Sequence, residues 1–102
     1  MKIKAFSKAS GVLKRSVTLD GRRTSISIEA PFWEALAEIA SSLEASRGEL
    51  IERINRNLSS GNLSSALRVF ALQFYLEKER NPENHDREVR ASARRGFTQG
   101  RE

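Results

Sequence analysis

Residues 22–33 read Arg22-Arg23-Thr24-Ser25-Ile26-Ser27-Ile28-Glu29-Ala30-Pro31-Phe32-Trp33, a short alternating segment that turns within three residues into a helix start. In an extended strand successive side chains point to opposite faces, so Thr24, Ile26 and Ile28 share one side while Arg23, Ser25 and Ser27 share the other. One face is apolar and the other offers only hydrogen bonds and charge. Pro31 suits the first turn of a helix, where a missing N–H costs little, and Phe32 and Trp33 begin a 3.6-period apolar pattern. No segment after Pro31 reads as another strand, and a lone strand leaves a row of backbone donors and acceptors unpaired. The same strand from a second copy is the expected partner, running antiparallel about a two-fold axis with the isoleucines inward.

Upstream, residues 1–13 scatter Ile3, Phe6, Val12 and Leu13 among Lys, Ser, Ala and Gly without a sustained period. Lys14 to Leu19 alternates weakly, and Asp20-Gly21 is a strong two-residue hairpin signal, so a local hairpin competes with the intermolecular ribbon. Its register pairs Leu19 with Arg22, Val17 with Thr24 and Arg15 with Ile26, which sets Arg15 among the isoleucines. That mismatch favours reading residues 1–20 as a basic flexible arm, or at most a short flanking strand.

Downstream, the first helix is expected from Pro31 to about Leu43, with Phe32, Trp33, Leu36, Ile39, Ala40 and Leu43 inward and Glu34, Glu38 and Glu44 on the wet side. Ser46 followed by Glu49 fits a capping box, and Leu50, Ile51, Ile54 and Leu58 form the inward stripe of a second helix ending near Asn57. Asn62 or Ser64 can cap a third helix over Leu63 to Arg80, whose apolar residues spread around much of its circumference. Such a helix is expected to pack across the helices of a dimer. Asn81-Pro82 is a breaker, and residues 81–102 are expected to be a polar, disordered tail.

The strand, the two helices after it and the stretch Asn62-Leu63-Ser64-Ser65-Ala66-Leu67-Arg68-Val69-Phe70 together resemble the ribbon-helix-helix family of dimeric DNA-binding proteins. The resemblance covers residues 21–76, and it implies a mostly α fold. One short strand pairs across an obligate homodimer, the domain spans residues 21–80, and a third helix is added. It implies a dimer core of Ile26, Ile28, Phe32, Trp33, Leu36, Ile51 and Ile54. The resemblance also implies a two-stranded ribbon entering the DNA major groove, with Arg23, Ser25 and Ser27 as base-reading residues. Arg23 has the fork of donors that guanine O6 and N7 accept, and serine donates or accepts at any base edge. Lys14, Arg15 and Arg22 would neutralise phosphates beside the groove. In the family, backbone N–H groups at the second helix's start hold a phosphate, a position taken here by Ser46, Arg47 and Gly48. The expected function is a cytoplasmic homodimeric transcriptional repressor bound to double-stranded DNA. The alternative is an antitoxin-type or adaptor protein of the same fold whose C-terminal tail binds a protein partner.

Composition agrees with that direction. The 102 residues carry a net charge of +5, and residues 1–23 hold seven basic side chains against Asp20 alone, whereas residues 24–58 hold three against six acids. A chain polarised this way turns its N-terminal end toward an anion, although a solubilising basic segment would look the same. Without cysteine, disulfides and thiol chemistry are excluded, and His85 alone cannot build a structural zinc site. No apolar run approaches the length of a membrane span, so no membrane partner is expected. There is no phosphate-cradling glycine loop, paired metal motif or nucleophile elbow, so no catalytic residue, metal or cofactor is assigned and no enzyme is expected.

Overall fold

Asp20 and Gly21 both adopt left-handed backbone, with φ of 53° and 79°, the pair of positive angles that a two-residue hairpin loop requires. The computed structural model of the chain describes residues 11–59, 61–83, 87 and 89–91. Strand β1 (Val12–Leu19) runs into this turn and strand β2 (Arg22–Glu29) returns antiparallel to it, giving a two-stranded sheet. The turn is docked, because the Asp20 N–H donates to Glu52 Oε2 at 3.0 Å.

Three helices follow: α1 (Ala30–Ser42), α2 (Arg47–Arg56) and α3 (Leu63–Arg80). Pro31 occupies the first turn of α1. Ser46 and Glu49 complete the capping box of α2: the Glu49 N–H donates to Ser46 Oγ at 3.1 Å, and the Ser46 N–H donates to Glu49 Oε1 at 2.8 Å. Asn62 caps α3 by accepting from the Ser65 N–H at 3.0 Å. These bonds satisfy donors that each helix start leaves without an intrahelical partner. One core joins all five elements, with Val17, Ile26 and Ile28 of the hairpin buried against Leu36, Ile39, Ala40, Leu43, Leu50, Ile51, Leu67 and Ala71.

Strand β2 pairs on one edge with β1 of the same chain, so residues 12–19 form the flanking strand rather than the arm. The register is the one the Asp20-Gly21 loop dictates, with Arg15 opposite Ile26, Val17 opposite Thr24 and Leu19 opposite Arg22. Arg15 is tolerated there because its guanidinium leaves the isoleucines and lies over the Trp33 ring, 5.3 Å from the centroid, where the ring's negative face attracts it.

The residues assigned to a dimer core line or border the chain's own core. Ile26, Ile28, Leu36 and Ile51 are buried, and Phe32, Trp33 and Ile54 pack half-buried against them. Likewise α3 packs on α1, α2 and β2 of its own chain. At its start Ser64 Oγ donates to the Ser27 carbonyl at 2.7 Å, and one turn later Arg68 Nε meets Glu29 Oε1 at 2.8 Å.

Beyond Arg80, residues 82, 83, 87 and 89–91 are helical, and Val89 packs on the core. The first ten residues, and His85, Arg94, Arg95 and Phe97 of the tail, lie outside the described residues. Among the described residues no helix is long and apolar enough to cross a membrane, and no group of His, Cys, Asp and Glu could hold a metal ion.

Candidate nucleic-acid interface

The hairpin divides its side chains cleanly, because directly opposed residues of antiparallel strands share a face. On the inner face Leu13 opposes Ile28, Arg15 opposes Ile26, and Val17 opposes Thr24. On the outer face Lys14 opposes Ser27, Ser16 opposes Ser25, and Thr18 opposes Arg23. All six of these outer residues are exposed, and only Val12 at the open end adds an aliphatic side chain. Arg23 is oriented along the ridge, its Nη2 donating to Ser16 Oγ at 3.1 Å across the strands. The result is a narrow polar ridge rich in donors, with a permanent positive charge toward the turn and Lys14 toward the helical end.

Arg23, Ser25 and Ser27 therefore stand side by side on one exposed face. Lys14 joins them there, whereas Arg15 and Arg22 belong to the opposite face, Arg22 exposed beside the turn and Arg15 half-buried. Ser16 and Thr18 were missed as candidates. Their signal was present in the hairpin register, which sets both on the face of Arg23 once Asp20-Gly21 is accepted as the loop.

A second positive cluster lies where the inner face of β1 meets the starts of α1 and α2. Arg47, the first residue of α2, donates from Nε to the Trp33 carbonyl at 3.1 Å, and its guanidinium lies over the Trp33 ring at 4.1 Å. The same indole thus holds two guanidinium groups, those of Arg15 and Arg47. Burial lowers the Arg47 pKa, and the like charge of Arg15 lowers it further, with Glu34 opposing. An arginine remains protonated in spite of such pressure. The cost falls instead on the pair, and Arg15 Nε is buried with no hydrogen-bond partner in the protein. Ser46 and Gly48 flank Arg47 at the helix start, where the backbone dipole is positive.

The third structural anchor is at the end of β2. Arg68 holds the Glu29 carboxyl below its ordinary range, first by its hydrogen bond and also by its charge. On α3, Tyr75 donates to Glu38 Oε1 at 3.1 Å, and burial, followed by that carboxylate, raises the phenol's pKa. The first contact ties α3 to the end of the hairpin, and the second ties α3 to α1.

Comparison with known proteins agrees with this layout. No curated protein matches the chain. Among solved structures, an uncharacterized protein from Bordetella pertussis Tohama I is similar, with 31% identity and a TM-score of 0.63. The match covers 76% of this chain and 66% of that one, so the chain spans a little less than two thirds of that protein. The model of the ribbon-helix-helix domain, a domain of DNA-binding regulators that typically bind as dimers, matches residues 12–75. That span opens on the first residue of β1, so the whole hairpin lies within the matched domain, followed by α1, α2 and most of α3. By fold, element order and this match, the chain belongs to the ribbon-helix-helix family.

Proposed function

We propose that this protein is a homodimeric transcriptional repressor that binds double-stranded DNA by setting the outer face of its hairpin into the major groove. The observation that carries the reading is that face itself: Lys14, Ser16, Thr18, Arg23, Ser25 and Ser27 are all exposed while Val17, Ile26 and Ile28 of the opposite face are buried in the core. A two-stranded ribbon is about 5 Å between strand axes and enters a groove about 12 Å wide. Arg23 donates in a fork to guanine O6 and N7, while Ser25 and Ser27 contact neighbouring base edges. Lys14, Arg15, Arg22 and Arg47, with the backbone N–H groups around Ser46 and Gly48, serve the phosphates on either side.

A second copy would add along the edge of β2 that β1 leaves open, where the Ser27 carbonyl already accepts from Ser64.

The deciding experiment is retention of random-sequence duplexes by the full chain over a salt series, beside its solution mass. A dimer whose affinity falls steeply with salt supports the proposal, because phosphate neutralisation releases counterions. Absence of retention at low salt removes it. The antitoxin-type alternative draws no support from the described part of the tail, where Val89 is already seated on the chain's own core.

A further inference from the structure

Resting on the homodimer of the reading above, we propose that the outward face of α3 is a contact between dimers, on which the α3 of a further copy packs antiparallel about a two-fold axis.

The large apolar side chains left exposed among the described residues are Val12 and Leu13 at the open end of the hairpin, and Val69, Leu72 and Leu76 on α3. The three on α3 are spaced three and then four residues apart, which sets them in one row along the helix, with exposed Ser65 one turn earlier in the same row. This row is not the face that holds α3 to its own chain. Leu67 and Ala71 are buried in the core, and Phe70, Phe74 and Tyr75 pack against it. Single exposed apolar residues are ordinary on a protein surface, but a row at this spacing is the pattern of a seam between two helices.

Charge selects a second α3, running antiparallel, as the occupant. In that arrangement Val69 of each copy meets Leu72 of the other, and Ser65 meets Leu76 at the two ends. One layer further, Glu79 comes to Asn62, the N-cap of the other copy's α3, where the helix dipole is positive and favours a carboxylate. Beside the seam, Arg68 and Tyr75 are already tied to Glu29 and Glu38 of their own chain, so neither brings a loose group to it. A parallel pair would stack Glu79 on Glu79 and align the two dipoles. Sliding the antiparallel pair by seven residues would set Val69 against Glu79.

The size of the row decides what kind of contact it makes. From Ser65 to Leu76 it runs about 17 Å at the rise of a helix. Three partly exposed aliphatic side chains fall far short of the ~800 Å² per partner that a stable interface buries. The seam therefore does not hold two chains together alone. It joins dimers already brought close, as on neighbouring stretches of one duplex, where effective concentration takes the place of affinity.

The chain has no cysteine, so introduced thiols report the geometry without background. Full-length Ser65→Cys and Leu76→Cys chains are treated separately and as a mixture with a bismaleimide whose reach matches the roughly 8–10 Å between packed helix axes. Sedimentation equilibrium is run on the wild type and on Leu72→Glu, with circular dichroism to confirm that each variant is folded. Leu72 lies clear of the groove between α2 and α3 that Val69 and Leu76 border, so its substitution reports on the seam. The wild type is expected to pass from dimer to tetramer as concentration rises, and L72E to remain a dimer throughout. The S65C and L76C mixture should link several-fold more than either variant alone, because like positions lie about 17 Å apart along an antiparallel seam.

Links confined to like positions mean a parallel pair and overturn the proposal. Monomeric L72E places the row inside the dimer interface itself and also overturns it. Dimers that neither link nor associate reject this inference alone, and leave the row to the chain's own residues 84–102 or to a different protein. A wild type that stays monomeric rejects this inference together with the homodimer on which it rests.

Discussion

The two faces of the hairpin are built from the same two eight-residue strands yet obey different rules. On the inner face, Val17, Ile26 and Ile28 are buried, and the basic residue among them, Arg15, is held over Trp33. On the outer face Lys14, Ser16, Thr18, Arg23, Ser25 and Ser27 stay in solvent, with one hydrogen bond between Arg23 and Ser16. The inner face explains why the hairpin exists; the outer face adds only that one cross-strand bond. A strand pair that shields one side and leaves an ordered polar ridge on the other has its stability and its recognition in separate side chains. Substitutions should then move one property without the other.

The sharpest break comes from Ile28→Ala. Ile28 is fully buried, so truncation should cost about 2–5 kcal/mol in chemical denaturation, from lost transfer energy and the cavity left behind. Duplex affinity per folded molecule should be unchanged. The converse is Arg23→Ala, which should leave stability within about 0.5 kcal/mol, as for other surface changes. In electrophoretic mobility shifts it should weaken preferred-duplex binding by about 1–3 kcal/mol, the worth of a bidentate base contact. Equal effects of these two variants on both properties would dissolve the distinction between the faces.

Smaller effects test the supports. Ser46→Ala removes the acceptor for the Glu49 N–H and should lower stability by about 1 kcal/mol, as loss of an N-cap does. Since Ser46 also stands at the proposed phosphate contact, a salt series on this variant separates capping from binding. The smallest effect concerns Glu29, whose pKa is lowered from 4.5 chiefly by the Arg68 hydrogen bond. A depressed folded pKa means that the unfolded chain binds the proton more readily. The contribution is therefore complete above the ordinary carboxylate value and is lost as pH falls through the lowered one. Arg68→Ala should flatten the part of the denaturation profile on the acid side of pH 4.5 that this carboxyl supplies.

Much of the candidate site was legible before any coordinates. The alternation in residues 23–28 assigns Arg23, Ser25 and Ser27 to one face, and period-two geometry needs no tertiary information to do so. Helix α3 could be bounded by Asn62 and Asn81 because caps and breakers act within a few residues. What escaped was Ser16 and Thr18, and the reason lies in Arg15. Read along the chain, a charged side chain opposite Ile26 argues against a hairpin. In the fold the same side chain is accepted by Trp33 of α1, and Arg47 approaches that indole from a third element. A contact of that range leaves no local pattern to read.

The amino-acid order by itself determined the alternating strands, the Asp20-Gly21 turn, the helix limits and the identity of the polar ridge, because each depends on backbone geometry and neighbours within one or two turns. Only the tertiary structure decided which strand lies beside β2. That choice sets a nearby segment, joined by a two-residue loop and needing a berth for Arg15, against an identical strand from another molecule. The indole of Trp33 supplies the berth, and with it the short loop closes at little entropic cost, so the chain pairs one edge of β2 with its own β1.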